Sequence, residues 1–194
     1  MKKYEFTGKF KMFLDKKLFQ IRALVSFGSV EAGEIGGYIE KEDNLSHAGN
    51  AWVSGDAWVY GDAEVYGNAE VYGDARVYGN AWVYGDARVY GNARVSGDAE
   101  VYGDARVYKS THLLQVGAIG SRDGTTTFFR TKEKEIYVKC GCFEGSIEEF
   151  EKKVVTTHAG TKHEKTYKLA IELAKAQIEL EEEEINEVNM RLCW

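Results

Sequence analysis

The hydrophobic positions in the middle of the chain recur every six residues. From Val53 to Val107 a valine stands at every sixth position, and an alanine stands two places before each valine. The residue between them is Trp, Glu or Arg, so Ala-x-Val alternates inward, outward and inward, as a short strand does. Tyr or Ser follows, and Gly-Asp or Gly-Asn then interrupts the strand with residues that tolerate a left-handed backbone. The pattern predicts one strand and one corner per repeat, and a coil that closes after about three repeats, or about 18 residues.

Stacking of such coils places every third repeat in register and predicts three outward ladders. The residues between Ala and Val give Trp52, Glu70, Arg88 and Arg106; Trp58, Arg76 and Arg94; and Glu64, Trp82 and Glu100. The tyrosines stack likewise, as Tyr72, Tyr90 and Tyr108; Tyr60 and Tyr78; and Tyr66, Tyr84 and Tyr102. Within the ladders we expect an ion pair between Glu70 and Arg88, and a cation–π contact between Trp58 and Arg76.

These aromatic and charged ladders have two interpretations. They can stabilise the coils by stacking on themselves, or they can form an interface with a partner or a second copy, because Tyr and Trp are enriched at interfaces. The residues of this candidate partner or oligomer surface are Trp52, Trp58, Trp82, Arg76, Arg88, Arg94, Tyr66, Tyr72, Tyr84 and Tyr90.

The corner positions of the repeat carry Asp or Asn throughout, from Asp56 to Asp104. A column of carboxylates could hold metal ions. Asp and Asn are, however, also the residues that make tight turns and hydrogen-bond their own backbone. We therefore expect turn residues at the corners, with no bound metal and no cofactor.

The N-terminal flank lacks the six-residue period. Residues 4–25 alternate imperfectly around Asp15-Lys16-Lys17, which predicts a β-hairpin within an N-terminal cap of residues 1–33. The β-helix is expected over residues 34–108, with His47 where the period requires valine. A cap would cover the apolar surface and strand edges of the first open end.

The C-terminal flank, residues 109–194, predicts a small α+β domain of three strands and two helices. The helices are expected to begin at the capping boxes Ser146–Glu149 and Thr161–Glu164. Beyond Gln177 the chain becomes strongly acidic, which predicts that the last helix projects into solvent or pairs with a basic partner.

The repeat resembles the hexapeptide-repeat, left-handed parallel β-helix superfamily, whose pattern is an aliphatic residue followed four places later by a small one. The resemblance covers about residues 50–108 and implies a mainly β fold of left-handed, triangular coils. It implies no single function, because the superfamily includes acyltransferases, carbonic anhydrases and scaffolds. The flanks "GEIGGYIEKEDNLSHAGNAWV" and "VGAIGSRDGTTTFF" also resemble phage and prophage hexapeptide-repeat accessory proteins. Small phage proteins of this kind often act on host machinery, including CRISPR and other defence systems.

Charge and composition narrow the class of protein. The net charge is −6, with lysines gathered between Met1 and Val30 and acidic residues in the repeats and the C-terminus. This balance disfavours direct nucleic-acid binding and leaves room for a basic or nucleic-acid-binding host protein as partner. No apolar run reaches the length of a membrane span, no signal-peptide pattern is present, and the three cysteines make no secreted disulfide framework. We expect a cytoplasmic protein.

The chain lacks the pattern that enzymes of related fold require. A zinc site of the γ-carbonic-anhydrase kind needs three histidines, and those of this chain all lie outside the regular coils, at His47, His112, His158 and His163. Acyltransfer needs a catalytic histidine on a loop between coils, and no loop interrupts residues 51–107. An enzyme whose site forms at an oligomer interface is the alternative that remains.

Cys140-Gly-Cys142 is the other group of chemically active residues. With His158 or His163 the two thiols could form a zinc site or an activated nucleophile. A pair of reduced, half-buried cysteines at a strand end explains the same residues without any chemistry. The sequence leaves metal binding here open.

Together these features favour a non-catalytic, phage-encoded interaction protein that binds and inhibits or redirects a host protein. A defence nuclease such as a CRISPR effector is a candidate, since an acidic prism could occupy a nucleic-acid channel by charge mimicry. A hexapeptide-repeat enzyme and a structural component of the virion are the alternatives. The partner's identity, the oligomeric state and the domain that makes the contact are left open.

Overall fold

The computed structural model describes residues 2–181 and is mainly β-structure. The chain begins with a hairpin in which β1 (Tyr4–Phe13) and β2 (Lys16–Ala23) pair antiparallel. β2 also pairs antiparallel with β3 (Ile35–Ile39), which leads into the repeats. The predicted N-terminal hairpin is confirmed.

Ten two-residue strands follow within a β-solenoid that spans residues 38–107. They are β4 (Trp52–Val53), β5 (Trp58–Val59), β6 (Glu64–Val65), β7 (Glu70–Val71), β8 (Arg76–Val77), β9 (Trp82–Val83), β10 (Arg88–Val89), β11 (Arg94–Val95), β12 (Glu100–Val101) and β13 (Arg106–Val107). Every third strand pairs in parallel, as β5 does with β8 and β8 with β11. The solenoid therefore has about four turns.

The parallel pairing gives the solenoid three faces. The first face consists of β3, β5, β8 and β11, the second of β4, β7, β10 and β13, and the third of β6, β9 and β12. The hairpin continues the first face, so that this sheet has six strands. The outward residues of the three faces are the three predicted ladders, which the strand register confirms.

The interior of the solenoid is filled by the alanines and valines of the repeat. All ten Ala-x-Val pairs between Ala51 and Val107 are buried. Each buried valine contributes about 1.5–3 kcal/mol to folding. Because each coil exposes its strand edges until the next coil covers them, this stabilisation depends on stacking.

The first coil departs from the six-residue spacing. Leu45, not His47, lies at the start of the interior column, where it is fully buried and bridges in parallel to Val65. His47 is half-buried instead, stacks on Tyr4 with 4.3 Å between ring centroids, and accepts a hydrogen bond from the Lys3 backbone N–H. The prediction that His47 takes the place of a core valine is wrong.

Corner side chains connect neighbouring coils. The Asn68 amide donates to the Asp86 carboxylate over 3.0 Å, and the Asn80 amide donates to the Asp98 carboxylate over 2.8 Å. From the sequence, we expected the corner residues to hydrogen-bond their own backbone. At these corners the side chain instead reaches its counterpart in the next coil, because stacking places the two corners directly above one another.

The C-terminal sheet has four antiparallel strands rather than the three predicted. They are β14 (Leu113–Ile119), β15 (Gly124–Arg130), β16 (Ile136–Cys140) and β17 (Phe143–Ser146). Residues 135–143, which the sequence pattern predicts as a single third strand, fold back on themselves at Gly141-Cys142, where Gly141 has a φ of +58°. The turn thus places one cysteine at the end of a strand and the other in a tight loop.

Two helices cover this sheet, namely α1 (Ile147–His158) and α2 (Lys162–Gln177). The capping box at Ser146 and Glu149 is confirmed, with both reciprocal hydrogen bonds present. At the second box the Thr161 hydroxyl accepts from the Glu164 N–H, but the Glu164 carboxylate accepts from the Gly160 N–H instead of that of Thr161. The predicted helix starts are therefore correct.

The C-terminal sheet closes the second end of the solenoid. Phe129 of β15 is fully buried and lies edge-on to Tyr102, with 5.2 Å between ring centroids. Ala105 of the last coil forms a β-bridge with Thr131. Both open ends of the repeat array are thus covered, as the edges of a parallel stack require.

The acidic stretch predicted to continue the last helix begins after α2. α2 ends at Gln177, and the residues after Glu181 lie outside the described part of the chain. Between residues 2 and 181, no helix combines the length and the apolar character needed to cross a bilayer.

Candidate interaction site

The first face is partly covered by the N-terminal hairpin. Phe13 lies 5.1 Å from Trp58 between ring centroids, and the Arg76 guanidinium lies 4.3 Å from the centroid of the Trp58 ring. The predicted cation–π contact is confirmed. Trp58 is therefore half-buried between Arg76 of its own ladder and Phe13, whereas Arg94, two coils after Trp58, stays exposed.

The second face carries a polar groove of about 610 Å³ beside the loop that precedes β3. Trp52 lies at one end of this groove but is only 5% exposed, because Phe27 and Tyr4 pack against it. Farther along, Arg88 Nε lies 3.2 Å from Glu70 Oε2, so the predicted ion pair is confirmed. Trp52 therefore contributes little accessible surface, contrary to the expectation that it faces a partner.

The third face is the one on which a tryptophan stays exposed. Trp82 is 42% exposed and lies in register between Glu64 and Glu100. Of the three tryptophans in the described residues, it is the one that no other element covers. Tyr66 and Tyr84 flank it on the same coils, stacked on each other with 5.0 Å between ring centroids.

The tyrosine stacks occur as predicted. Tyr72 and Tyr90 lie 4.8 Å apart between ring centroids, and their ring planes are nearly parallel, with an angle of 6° between them. Tyr60 and Tyr78 stack at 5.0 Å and 3°. Each ring is half-buried by its neighbour, and this burial is the main reason why the pKa values of Tyr60, Tyr72 and Tyr90 lie above the ordinary tyrosine value. The stacks support the self-stabilising interpretation of the ladders.

The three faces differ in the sign of their charge. The first face presents Arg76 and Arg94, the second pairs Glu70 with arginines, and the third presents glutamates. On the third face burial raises the pKa of Tyr84 well above its usual range, and the carboxylates of Glu144 and Glu100 raise it further. On the second face, by contrast, Arg88 opposes the rise in the pKa of Tyr72.

Residues outside the repeat add to the negative charge of the third face. At its N-terminal end, a groove of about 320 Å³ is lined by Glu42, Asp43 and Glu64. At its C-terminal end, Glu144 accepts a hydrogen bond from the Tyr84 hydroxyl over 3.4 Å. Glu42, Asp43 and Glu144 could not be predicted as part of this face, because they lie outside the six-residue period.

Lys2 balances part of this charge through an ion pair with Glu42, and Lys139 balances another part at the C-terminal end of the face. The Lys139 ammonium lies 3.4 Å from Glu100 and 2.5 Å from Glu144, and only 13% of the Lys139 side chain is exposed. Glu64, at the other side of Trp82, has no ion pair among residues 2–181. The half of the third face around Glu64 and Trp82 thus combines an exposed indole with an unneutralised carboxylate.

Replacing two tryptophans of the same repeat position should separate stacking from surface exposure. Trp58→Ala should lower the free energy of unfolding by about 2 kcal/mol, because it removes the contacts to Phe13 and Arg76. Trp82→Ala should change it by less than about 0.5 kcal/mol, as surface substitutions do. Urea unfolding followed by far-UV circular dichroism measures both values. Equal losses would mean that Trp82 is as structural as Trp58.

The cysteine and histidine residues converge on a cavity of the C-terminal domain. Cys140, Cys142 and His158 all line it. The Cys140 thiol accepts a hydrogen bond from Thr126 Oγ1 over 3.1 Å and contacts the Tyr167 hydroxyl at 3.6 Å. Among residues 2–181, no three His, Cys, Asp or Glu side chains come close enough to hold a metal ion. Cys140 and Cys142 are thus two free thiols that line one cavity.

The described histidines lie in three places, and two of them, His158 and His163, are close together, with 5.9 Å between ring centroids. His47 lies at the first coil, His112 is buried beside Tyr108, and His158 and His163 lie in or at the start of the two helices. The geometry needed for a three-histidine zinc site is not formed within residues 2–181. An enzyme whose site is completed by a second subunit stays a prediction.

Comparison with known proteins bears on the solenoid alone. No curated protein sequence matches the chain. Residues 69–85 and 87–101, which lie within the solenoid, match the family model described as the YdcK beta solenoid repeat. The central part of the chain is therefore a β-solenoid repeat region of YdcK type.

Proposed function

We propose that the protein is a non-catalytic interaction protein whose third face binds an arginine-rich segment of a partner protein. The observation that carries this proposal is the exposed indole of Trp82 between the carboxylates of Glu64 and Glu100. Large exposed aromatic side chains on soluble proteins are frequent centres of binding energy. The other two described tryptophans are less accessible, because Phe13 packs against Trp58 and Phe27 packs against Trp52.

Arginine fits this surface for two chemical reasons. A guanidinium stacks on the face of an indole by cation–π attraction, and it forms paired hydrogen bonds with a carboxylate. Trp82 and Glu64 are in register on adjacent coils, so one side chain can engage both. The Asp43 carboxylate extends the attraction toward the N-terminal end of the face, whereas the neighbouring Glu42 is paired with Lys2.

Nucleic-acid-binding proteins are the partner class that best matches these chemical requirements, because their binding surfaces are rich in arginine and lysine. Occupation of such a surface by an acidic protein would block access of nucleic acid. Together with the resemblance of the flanks to phage accessory proteins, this supports a phage-encoded inhibitor of a host protein that acts in the host cytoplasm. A defence nuclease fits the same description.

A left-handed winding of the coils is part of the same proposal. It is supported by the resemblance of the repeat to hexapeptide-repeat proteins. An experimental density map of the solenoid would show the handedness of the coils, and right-handed coils would contradict the proposal.

Peptide binding tests the proposed interface. An arginine-rich peptide should bind and change the fluorescence of Trp82, and Trp82→Ala should weaken binding about tenfold or more. Glu64→Gln should weaken it and reduce its salt dependence, because one attractive charge is lost. Glu70→Gln on the second face is the matched control and should leave binding unchanged. Titration followed by fluorescence anisotropy of a labelled peptide gives the dissociation constants.

Two outcomes would contradict the proposal. If Trp82→Ala binds the peptide as well as the unchanged protein does, the third face is not the site. If light scattering shows that Trp82→Ala converts an oligomer into a monomer, the exposed indole belongs to a self-interface instead. A two-fold pairing through the third face would bring Glu64 and Glu100 toward their own copies, which disfavours that arrangement.

A further inference from the structure

The C-terminal domain contains a cavity that the interaction surface does not use. Its volume is about 260 Å³, and it lies at one end of the layer between the sheet and the helices. The turn between β14 and β15 forms one wall, the Gly141-Cys142 turn forms another, and α1 forms the third. The cavity is separate from the third face and its residues.

The inner wall of this cavity is apolar. Phe150 and Val154 of α1 and Tyr167 of α2 are all at least nine-tenths buried and line its base. Ile119 and Phe143, which are half-buried, line the sides. Apolar surface in a concave site of this kind is the usual receptor for the apolar body of a small ligand.

Gly120 shows how closely the cavity wall is built around Tyr167. A Cβ atom at Gly120 would lie 1.9 Å from the Tyr167 hydroxyl oxygen. The glycine therefore lets the β14–β15 turn approach the ring, which fixes Tyr167 at the base. The hydroxyl contacts the Cys140 thiol, and burial raises the pKa of Tyr167 well above its usual range.

The rim of the cavity is cationic. Arg122 and Lys153 are exposed and line the rim, and no Asp or Glu is among the described residues that line the cavity. In the described part of the chain neither cation forms an ion pair. Two unpaired cations at the mouth of an apolar cavity attract an anion whose apolar body can enter.

We propose that this cavity binds a small apolar carboxylate, with its hydrocarbon body against Phe150, Val154 and Tyr167 and its carboxylate between Arg122 and Lys153. The cavity is smaller than the range of about 300–1,000 Å³ that is typical of drug-sized ligands. A ligand of the size of a medium-chain fatty acid or a single-ring aromatic acid matches it. The guanidinium of Arg122 suits a carboxylate because it can donate two parallel hydrogen bonds.

A pair of ligands with the same chain and opposite charge tests the chemistry. Octanoate should bind the full-length protein in isothermal titration calorimetry, and octylamine should not, because Arg122 and Lys153 repel an ammonium. Binding of octylamine with an affinity equal to that of octanoate, or of neither compound, would overturn the proposal.

Variants at the rim locate the anion. Arg122→Gln with Lys153→Gln should weaken octanoate binding about fivefold or more, as expected for two charge contacts at a solvent-facing rim. Lys152→Gln is the matched control, because Lys152 is the exposed neighbour on the same helix and does not line the cavity. If the double variant and the control bind octanoate equally well, the carboxylate does not lie between these cations.

The exposed thiol of Cys142 reports occupancy directly. In a Cys193→Ser background, alkylation of Cys142 by iodoacetamide should slow several-fold when octanoate is present, because Cys142 lines the cavity. The exposed position of Cys142 makes it more accessible than the half-buried Cys140. Binding of octanoate without protection of Cys142 would place the ligand elsewhere and overturn the proposal.

Discussion

Gly79→Ala is expected to lower the free energy of unfolding by about 3 kcal/mol, whereas Gly103→Ala should lower it by about 1 kcal/mol. Both glycines occupy the same position of the six-residue repeat and have a left-handed backbone, with φ of +76° and +64°. An added Cβ at Gly79 would lie 2.8 Å from the backbone nitrogen of Gly97 in the next coil. At Gly103 nothing lies within 4 Å of the added atom. The first variant therefore has both backbone strain and a clash, and the second has strain alone.

Thermal or urea unfolding of the two variants measures the difference directly. The pair isolates the clearance between coils, because the strain of the left-handed backbone is common to both. The clash at Gly79 involves main chain, which cannot rotate away, so the coils must separate to relieve it. Equal destabilisation of the two variants would show that the corner glycines serve backbone conformation alone.

This contrast shows what the period of the sequence could and could not predict. The period predicted glycine at each corner and the register of the ladders, because spacing alone fixes which residues stack. The period could not distinguish Gly79 from Gly103, since the two glycines occupy the same position of the repeat. The difference arises from what stands one coil later, and after Gly103 the repeat has ended.

The candidate site was predicted in part for the same reason. Register placed Trp82 between Glu64 and Glu100 correctly. Exposure was not predictable, because Trp52 and Trp58 are covered by Phe27 and Phe13, which lie in segments without the period. Side chains that reach a face from distant parts of the chain leave no periodic signal in the sequence.

Irregular segments account for the other differences between sequence and structure. Leu45 enters the core two positions before the periodic place at His47, because the first coil is shaped by its connection to β3. The Gly141-Cys142 turn was missed because a two-residue turn inside an apolar stretch hardly interrupts the strand pattern. Neither departure affects the three faces, because the pairing of every third strand within the regular repeat determines them.

The segregation of charge by face connects the fold to the proposed function. A three-sided prism can present three independent surfaces, and the residue between Ala and Val determines each one. On the first face that residue stacks on the hairpin, on the second it forms an ion pair, and on the third it leaves Trp82 exposed. Substitutions on the third face can therefore change binding with little effect on the solenoid.

The junction between the solenoid and the C-terminal sheet contains a fully buried histidine. His112 lies edge-on to Tyr108, with 4.0 Å between ring centroids. Burial, and then the positive charges of Arg130 and Lys109, lower the pKa of His112 to about 4. The Glu179 carboxylate and the Arg106 backbone carbonyl act in the opposite direction without offsetting this effect. The folded protein therefore holds His112 as a neutral imidazole at neutral pH.

Stability should fall as the pH is lowered from about 6.5 to about 4, and His112→Phe should remove this part of the loss. In this window the unfolded chain takes up a proton on His112 and the folded chain does not, so acid favours unfolding by about 3 kcal/mol in total. Urea unfolding of both proteins at a series of pH values measures the difference, in which the titration of the carboxylates common to both cancels. The nuclear magnetic resonance signals of the His112 ring should stay those of the neutral form until the pH approaches 4. If the unchanged protein and His112→Phe lose stability in parallel, the junction does not resist protonation of this residue.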